Sequence, residues 1–196
     1  KNDSYEVINY SSGLYHGEYL KYKGTSLVES KYYNKSLING FHEVYLGGDK
    51  NILLKKSHYT NGVLNGKHTE FYTNGKLRLS KVYLDGLLDG ESKQYDKFGQ
   101  LIFTETYNEG RLIKVSKRCF IDKDCIKVGK LRKESGVINE FNSNKIVTTQ
   151  KQYVDGLLDG ELFKYTKNNE VKFIIPYKEG VINGIVKEFK KGKLIG

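Results

Sequence analysis

A short motif recurs along this chain at a nearly fixed period. Its clearest copies span Tyr83–Glu91 and Tyr153–Glu161, which read YLDGLLDGE and YVDGLLDGE. The leading tyrosines of the copies fall at positions 10, 33, 59, 83, 107, 153 and 177, so most neighbours are 23 to 26 residues apart. A period in this range predicts a repeat array in which each copy is one structural unit. The interval of 46 residues after position 107 has room for one further unit, around Gly136.

Each copy is predicted to form a β-hairpin. Asn-Gly and Asp-Gly dipeptides are strong hairpin signals because both central residues of a type I′ turn need positive φ. The chain has nine of them, at 39–40, 61–62, 65–66, 74–75, 85–86, 89–90, 155–156, 159–160 and 183–184. The segments between them alternate with period two, as in Leu77, Leu79, Lys81 and Tyr83, which is typical of strands. The chain has no alanine and one proline, and no long stretch has the period of a helix.

The predicted fold is therefore all-β. We expect about eight antiparallel hairpins to pair edge to edge, since a lone hairpin is marginally stable. They would form one elongated, twisted and curved sheet over residues 1–196. The motif fails at 114–147, where we find neither its second glycine nor the aromatic residue five positions later. We expect a degenerate, basic break there.

Positive charge is concentrated around this break. Residues 111–133 carry nine cations against Asp122 and Asp124, a net +7 of the chain's +10. Such a surface attracts an acidic partner, phospholipid headgroups or nucleic acid, whereas a solvated insertion is the alternative. Nucleic acid is disfavoured because only Phe120 interleaves the charges. The predicted partner-binding residues are Arg111, Lys114, Lys117, Arg118, Lys123, Lys127, Lys130, Arg132 and Lys133.

The same segment contains both cysteines of the chain. Cys119 and Cys125 are separated by five residues, and Asp122-Lys123-Asp124 can turn the chain between them. Cysteines across a short hairpin can meet disulfide geometry, so a Cys119–Cys125 disulfide is predicted. Two free thiols are the alternative. A zinc site is disfavoured because two further ligands at motif spacing are absent.

A second candidate surface is the aromatic face of the array. Tyr83 and Tyr153 lead two copies of the motif, and Tyr95 and Tyr165 follow the second glycine of the same copies by five residues. These four tyrosines would be the second-choice binding residues, although cross-strand aromatic packing explains such a series as well.

No catalytic residue, metal ligand or cofactor site is predicted. The recurring aspartates 85, 89, 155 and 159 each precede a turn glycine, where aspartate stabilises the bend. The histidines belong to no recognised nucleophile motif such as G-x-S-x-G, and no nucleotide-binding or calcium-loop motif is present. We expect a protein that is not an enzyme.

The unit Tyr-x-x-Gly-x-x-(Asn/Asp)-Gly-x-x-x-x-(Tyr/Phe), followed by Gly-x-Leu, resembles the MORN-variant repeat of bacterial proteins, and in particular the YwqK-type antitoxin family. The resemblance covers residues 10–113 and 153–194. It implies a non-catalytic immunity protein that binds a toxic effector with an acidic surface and occludes its active site. The alternative is a cell-envelope scaffold of the MORN type that contacts phospholipid, an anionic membrane surface, or another envelope protein. We expect a monomer.

The chain has no methionine, so we expect residues to precede Lys1 in the natural protein. A cleaved signal peptide or an artificial truncation would explain this. We expect an exported protein, periplasmic or lipid-anchored in the cell envelope, with the cytoplasm as the alternative.

Overall fold

A computed structural model of the chain describes residues 3–48 and 51–196. The described residues form antiparallel β-strands joined by short turns, with no helix among them. The predicted all-β class, built from antiparallel hairpins, is confirmed. The chain divides into two compact units, one ending at Ile102 and the other beginning at Phe103. The repeat is present in both, and the prediction of one continuous array stays a prediction.

The first unit is a meander in which successive strands lie side by side. Each strand pairs with the next from β1 to β7, β7 then pairs with β9, and the short β8 also pairs with β7. The strands are β1 (Ser4–Ser11), β2 (Leu14–Lys23), β3 (Ser26–Asn34), β4 (Leu37–Tyr45), β5 (Leu53–Thr60), β6 (Val63–Phe71), β7 (Leu77–Leu84), β8 (Leu87–Leu88) and β9 (Gly90–Tyr95).

The second unit contains three groups of strands. The boundary lies in β10 (Leu101–Asn108), which pairs with β11 (Arg111–Val115). A separate two-stranded sheet pairs β12 (Arg118–Cys119) with β13 (Cys125–Ile126). The third group is a meander of β14 (Gly129–Arg132), β15 (Ser135–Phe141), β16 (Val147–Val154), β17 (Leu157–Leu158), β18 (Gly160–Tyr165), β19 (Val171–Lys178), β20 (Val181–Ile182), β21 (Lys187–Lys190) and β22 (Lys193–Leu194). Regular pairing therefore resumes at residue 129, inside the predicted break.

The first glycine of each motif lies in a tight two-residue turn. Asp85 and Gly86 have φ of 48° and 84°, and Asp155 and Gly156 have 48° and 76°, as a type I′ turn requires. The turn also attaches to the preceding repeat. The Gly86 amide donates to the Leu64 carbonyl at 2.9 Å, and the Gly156 amide donates to the Glu134 carbonyl at 2.8 Å.

The second glycine has a different role from the one predicted. The dipeptides 39–40, 65–66, 89–90, 159–160 and 183–184 were predicted to be hairpin turns, and this is wrong, because only their glycines have positive φ. At 39–40 and 65–66 the strand pairing shifts register, as in a β-bulge. The second glycine faces the leading tyrosine of the next repeat: Gly66 pairs with Tyr83, and Gly160 pairs with Tyr177.

This pairing identifies, in the further unit expected around Gly136, the second glycine and the aromatic residue that the motif was predicted to lack at 114–147. Gly136 pairs with Tyr153 in the same way, and Phe141 follows five residues later. The turn of this repeat, at Lys133 and Glu134, stands two residues from Gly136 instead of four, so the motif spacing is shortened.

The apolar core of the described residues lies in the second unit. Phe103, Leu112, Val128, Ile138 and Tyr153 are buried against one another, and Leu112 is 0% exposed. Leu112 lies just before the predicted break at 114–147, and Val128 lies within it. That stretch is therefore part of the core as well as an interruption of the repeats.

Two glycine substitutions test the assignment of these turns. Gly86→Ala should destabilise by about 1–2 kcal/mol, since a side chain is strained in the left-handed region. Gly156→Ala should cost roughly 1–3 kcal/mol more. A Cβ at Gly156 would lie 2.7 Å from the Arg111 Cβ and 3.1 Å from the Leu112 amide nitrogen, whereas at Gly86 the nearest atom is 3.4 Å away. Urea unfolding measures both, and equal losses would contradict the packing described at Gly156.

Candidate protein-binding site

Most of the nine predicted basic residues are exposed to solvent, although the Arg111 guanidinium donates to the Asp155 carbonyl at 2.7 Å. Eight of them are exposed: Arg111, Lys114, Lys117, Lys123, Lys127, Lys130, Arg132 and Lys133. Arg118 is half-buried, and its guanidinium carbon lies 5.9 Å from the centre of the Phe103 ring and 6.0 Å from that of Phe120. These distances are those of cation–π contacts. Arg118 therefore fixes the hairpin to β10 and is less suited to partner contact than the other eight.

The centre of this segment is a hairpin closed by a disulfide. Cys119 and Cys125 pair across β12 and β13 and are joined through their sulfur atoms. The turn between the strands is closed by two backbone hydrogen bonds, from the Lys123 amide to the Phe120 carbonyl at 2.8 Å and from the Phe120 amide to the Asp124 carbonyl at 2.9 Å. Residues 121–125 are all exposed.

The two acidic residues of the segment are both held by one lysine. Lys145 Nζ lies 2.7 Å from Asp122 Oδ2 and 2.8 Å from Asp124 Oδ2. The hydrogen bond from Lys145 lowers the pKa of Asp122. The Lys145 ammonium also lies 5.6 Å from the Phe120 ring centre. Lys145 is outside 111–133, so it adds a positive charge beside the two aspartates of the segment.

The two segments that flank this hairpin in sequence are attached to the core. On one side the Leu112 amide donates to the Gly156 carbonyl at 2.8 Å, and on the other the Asn139 amide donates to the Val128 carbonyl at 2.6 Å. Leu112 and Val128 are 0% and 1% exposed. The exposed hairpin is thus supported on both sides by buried residues, which limits its freedom before any partner binds.

Strand β14 contributes two further cations in a fixed direction. Lys130 pairs with Val137, and Arg132 pairs with Ser135. Leu131 between them packs against the core. Since side chains alternate along a strand, Lys130 and Arg132 lie on the side opposite the core.

The second-choice aromatic residues are less accessible. Tyr153 is 7% exposed and belongs to the core, where burial raises its pKa to about 12. Tyr83, Tyr95 and Tyr165 are half-buried. Tyr83 packs edge-on against the His68 ring at 6.2 Å between centroids. Packing is therefore the interpretation that fits Tyr153, and it leaves this residue unavailable to a partner.

A polar row crosses the first unit and contains the groups closest to a catalytic arrangement. Cross-strand pairing places Lys31, His42, Ser57, His68 and Lys81 side by side, in that order. Ser57 Oγ lies 2.8 Å from His68 Nδ1, and His68 Nε2 lies 3.3 Å from Glu70 Oε1.

These contacts describe a structural network better than an active site. Ser57 is 0% exposed, so a substrate cannot reach its hydroxyl group. Sequence reasoning missed the arrangement because it depends on the register between β5, which carries Ser57, and β6, which carries His68 and Glu70. No group of three or more potential metal ligands is found among residues 3–48 and 51–196.

The comparisons with known proteins identify no family for this chain. No protein-family model matches the sequence, and no curated protein matches it either. The resemblance to the MORN-variant repeat therefore depends on the motif alone. In the part of the chain that the structure describes, no helix is long and apolar enough to cross a membrane.

Removing the disulfide should destabilise the protein modestly. The double variant Cys119→Ser/Cys125→Ser should lose roughly 2 kcal/mol, because closing a loop this short removes little chain entropy from the unfolded state. Urea unfolding measures the loss, and the wild-type protein treated with a reductant is the matched control. A variant much less stable than the reduced wild type would mean that the serines disturb the hairpin in their own right.

Acidification should destabilise the first unit through its buried histidines. Burial lowers the pKa of His42 and of His68 below the usual 6.5, although Glu29 and Glu70 act in the opposite direction. The unfolded chain then binds more protons than the folded one as the pH falls through the usual value. The stability contributed by the neutral imidazoles is present above about pH 6.5 and is lost below it.

The measurement is the midpoint of urea unfolding at about pH 8 and about pH 5.5. We expect a lower midpoint at the acidic pH. The control is the His42→Asn/His68→Asn variant, whose midpoint should change less between the two conditions. A wild-type midpoint that rises on acidification would contradict the expected direction of the change.

Proposed function

We propose that this protein is a non-catalytic binding protein whose basic segment, residues 111–133, binds an acidic protein partner. The observation that carries the proposal is the exposure of eight of the nine cations around a disulfide-closed hairpin, with both local carboxylates held by Lys145. Complementary charge of this kind steers encounter and speeds association.

The identity of the partner class follows from the resemblance to the YwqK-type antitoxins. On that ground the partner is a toxic effector, and the protein is an immunity protein that occludes the effector's active site. The buried residues Leu112 and Val128, on either side of the disulfide hairpin, support this mechanism, because occlusion needs an element that keeps its shape. The Cys119–Cys125 disulfide supports an oxidising, exported location.

A cell-envelope scaffold that contacts anionic phospholipid is the second candidate. It is favoured by the concentration of +7 of the chain's +10 charge in one segment. Binding to phosphatidylglycerol vesicles that disappears at high salt would favour this candidate.

Charge reversal tests the proposed surface. The full chain, tagged, is used to capture proteins from an extract of the source cells, and the captured proteins are then measured for binding kinetics. Reversal of Lys117, Lys123, Lys127 and Lys130 to glutamate should slow association with the true partner by roughly tenfold or more at low salt, and by less at high salt.

The matched control reverses four exposed lysines outside the segment, which are Lys35, Lys67, Lys164 and Lys187. This variant has the same net charge and should associate nearly as fast as the wild type. Equal losses in both variants would show that only net charge matters. A full-speed first variant would exclude 111–133 as the contact surface.

A further inference from the structure

One turn geometry occurs five times in the described residues. In each turn the fourth residue has positive φ and donates its amide to the carbonyl of the first, and the first donates to the carbonyl of the fifth. The five turns span residues 72–76, 96–100, 120–124, 142–146 and 166–170. The chain thus provides its own comparison set for this backbone.

The second residue of these turns is polar in four of the five. It is Thr73, Lys97, Ser143 and Lys167 in the four, and Ile121 in the disulfide hairpin. Ile121 is 58% exposed, so core packing does not explain the apolar residue. The turn does not require it either, because the same backbone forms around threonine, serine or lysine.

The surroundings of Ile121 are also distinctive. It is the first of five consecutive exposed residues at the tip of a hairpin whose strands are joined by a disulfide. Lys123 lies in the same turn, and Lys117 and Lys127 stand directly outside the paired residues of the two strands. An exposed isoleucine is thus flanked by exposed cations, while Asp122 and Asp124 are held by Lys145.

We propose that Ile121 is the apolar anchor of the partner contact and enters an apolar pocket within the acidic surface of a protein partner. The inference rests on the proposed function. It adds that Ile121 is the residue that slows dissociation of the complex. In interfaces, a central side chain in a desolvated pocket carries most of the affinity, whereas rim charges mainly set the association rate. The disulfide and the buried flanks keep this anchor preorganised, so little freedom is lost on binding.

The test uses the full chain with Ile121→Thr. Threonine stands at the equivalent position of the turn at 72–76, so the hairpin should form normally. The probe is the protein, captured from source-cell extract by the tagged wild type, whose binding is weakened by the four charge reversals at Lys117, Lys123, Lys127 and Lys130. Ile121→Thr should weaken its affinity about tenfold or more through faster dissociation, at low and at high salt alike.

Two control variants separate the anchor from general surface hydrophobicity. Ile182→Thr removes an isoleucine of nearly the same exposure, 57%, and should leave the affinity unchanged. Thr73→Ile places an isoleucine in the same turn geometry outside residues 111–133, and should not restore the affinity of Ile121→Thr.

The outcomes distinguish this inference from the proposed function. If charge reversal weakens the complex and Ile121→Thr leaves dissociation within about twofold of wild type, the anchor is overturned and the basic surface stands. If no captured protein responds to charge reversal, the proposed function fails and the anchor fails with it. A third outcome concerns vesicles that contain about one third phosphatidylglycerol. If the wild-type protein sediments with them and the Ile121→Thr variant does not, the hairpin binds a membrane and the proposed protein pocket is overturned.

Discussion

The repeats depend on the pairing of a tyrosine with a glycine on the neighbouring strand. This pair occurs in both units, as Gly40 with Tyr59 in the first and Gly160 with Tyr177 in the second. The glycine interrupts the strand at a positive φ that a side chain would strain. Because the register of a strand decides which side chains share a face, this one pair sets the face of every residue that follows.

The two units bury different kinds of side chain. In the first unit the buried side chains Ser57 and His68 belong to the polar row, and they are hydrogen-bonded to each other. The second unit buries Leu112 and Val128, which stand on either side of the disulfide hairpin and belong to the apolar core. A single layer of strands has little apolar surface to bury. The departure from the repeat therefore supplies a core that regular repeats lack.

The sequence predicted the parts of the fold that are local. Asp-Gly spacing located the tight turns at Gly86 and Gly156, and alternation located the strands. It could not show that the second glycine lies in a bulge, since Asn-Gly at 65–66 looks the same as Asn-Gly at 61–62. A unit was expected around Gly136, but the role of Gly136 as its second glycine was missed for a related reason: its distance to Tyr153 is regular, whereas the distance to its own turn is not. The polar row and the clamp at Lys145 depend on contacts between distant residues, which no local pattern reveals.

The basic hairpin shows how a repeat protein can carry a specific feature without losing its fold. The turn at 120–124 has the same backbone as four others, so its formation does not depend on the residue at 121. A position that is neutral for folding is free to serve recognition, whereas Leu112 and Val128 are not, because they are buried. The charges that surround Ile121 are likewise exposed and bear little on stability. The hairpin tip and its cations can therefore change under selection for a partner, while Leu112 and Val128 keep the hairpin in place. A protein that needs one specific contact on a repetitive scaffold requires this separation of roles.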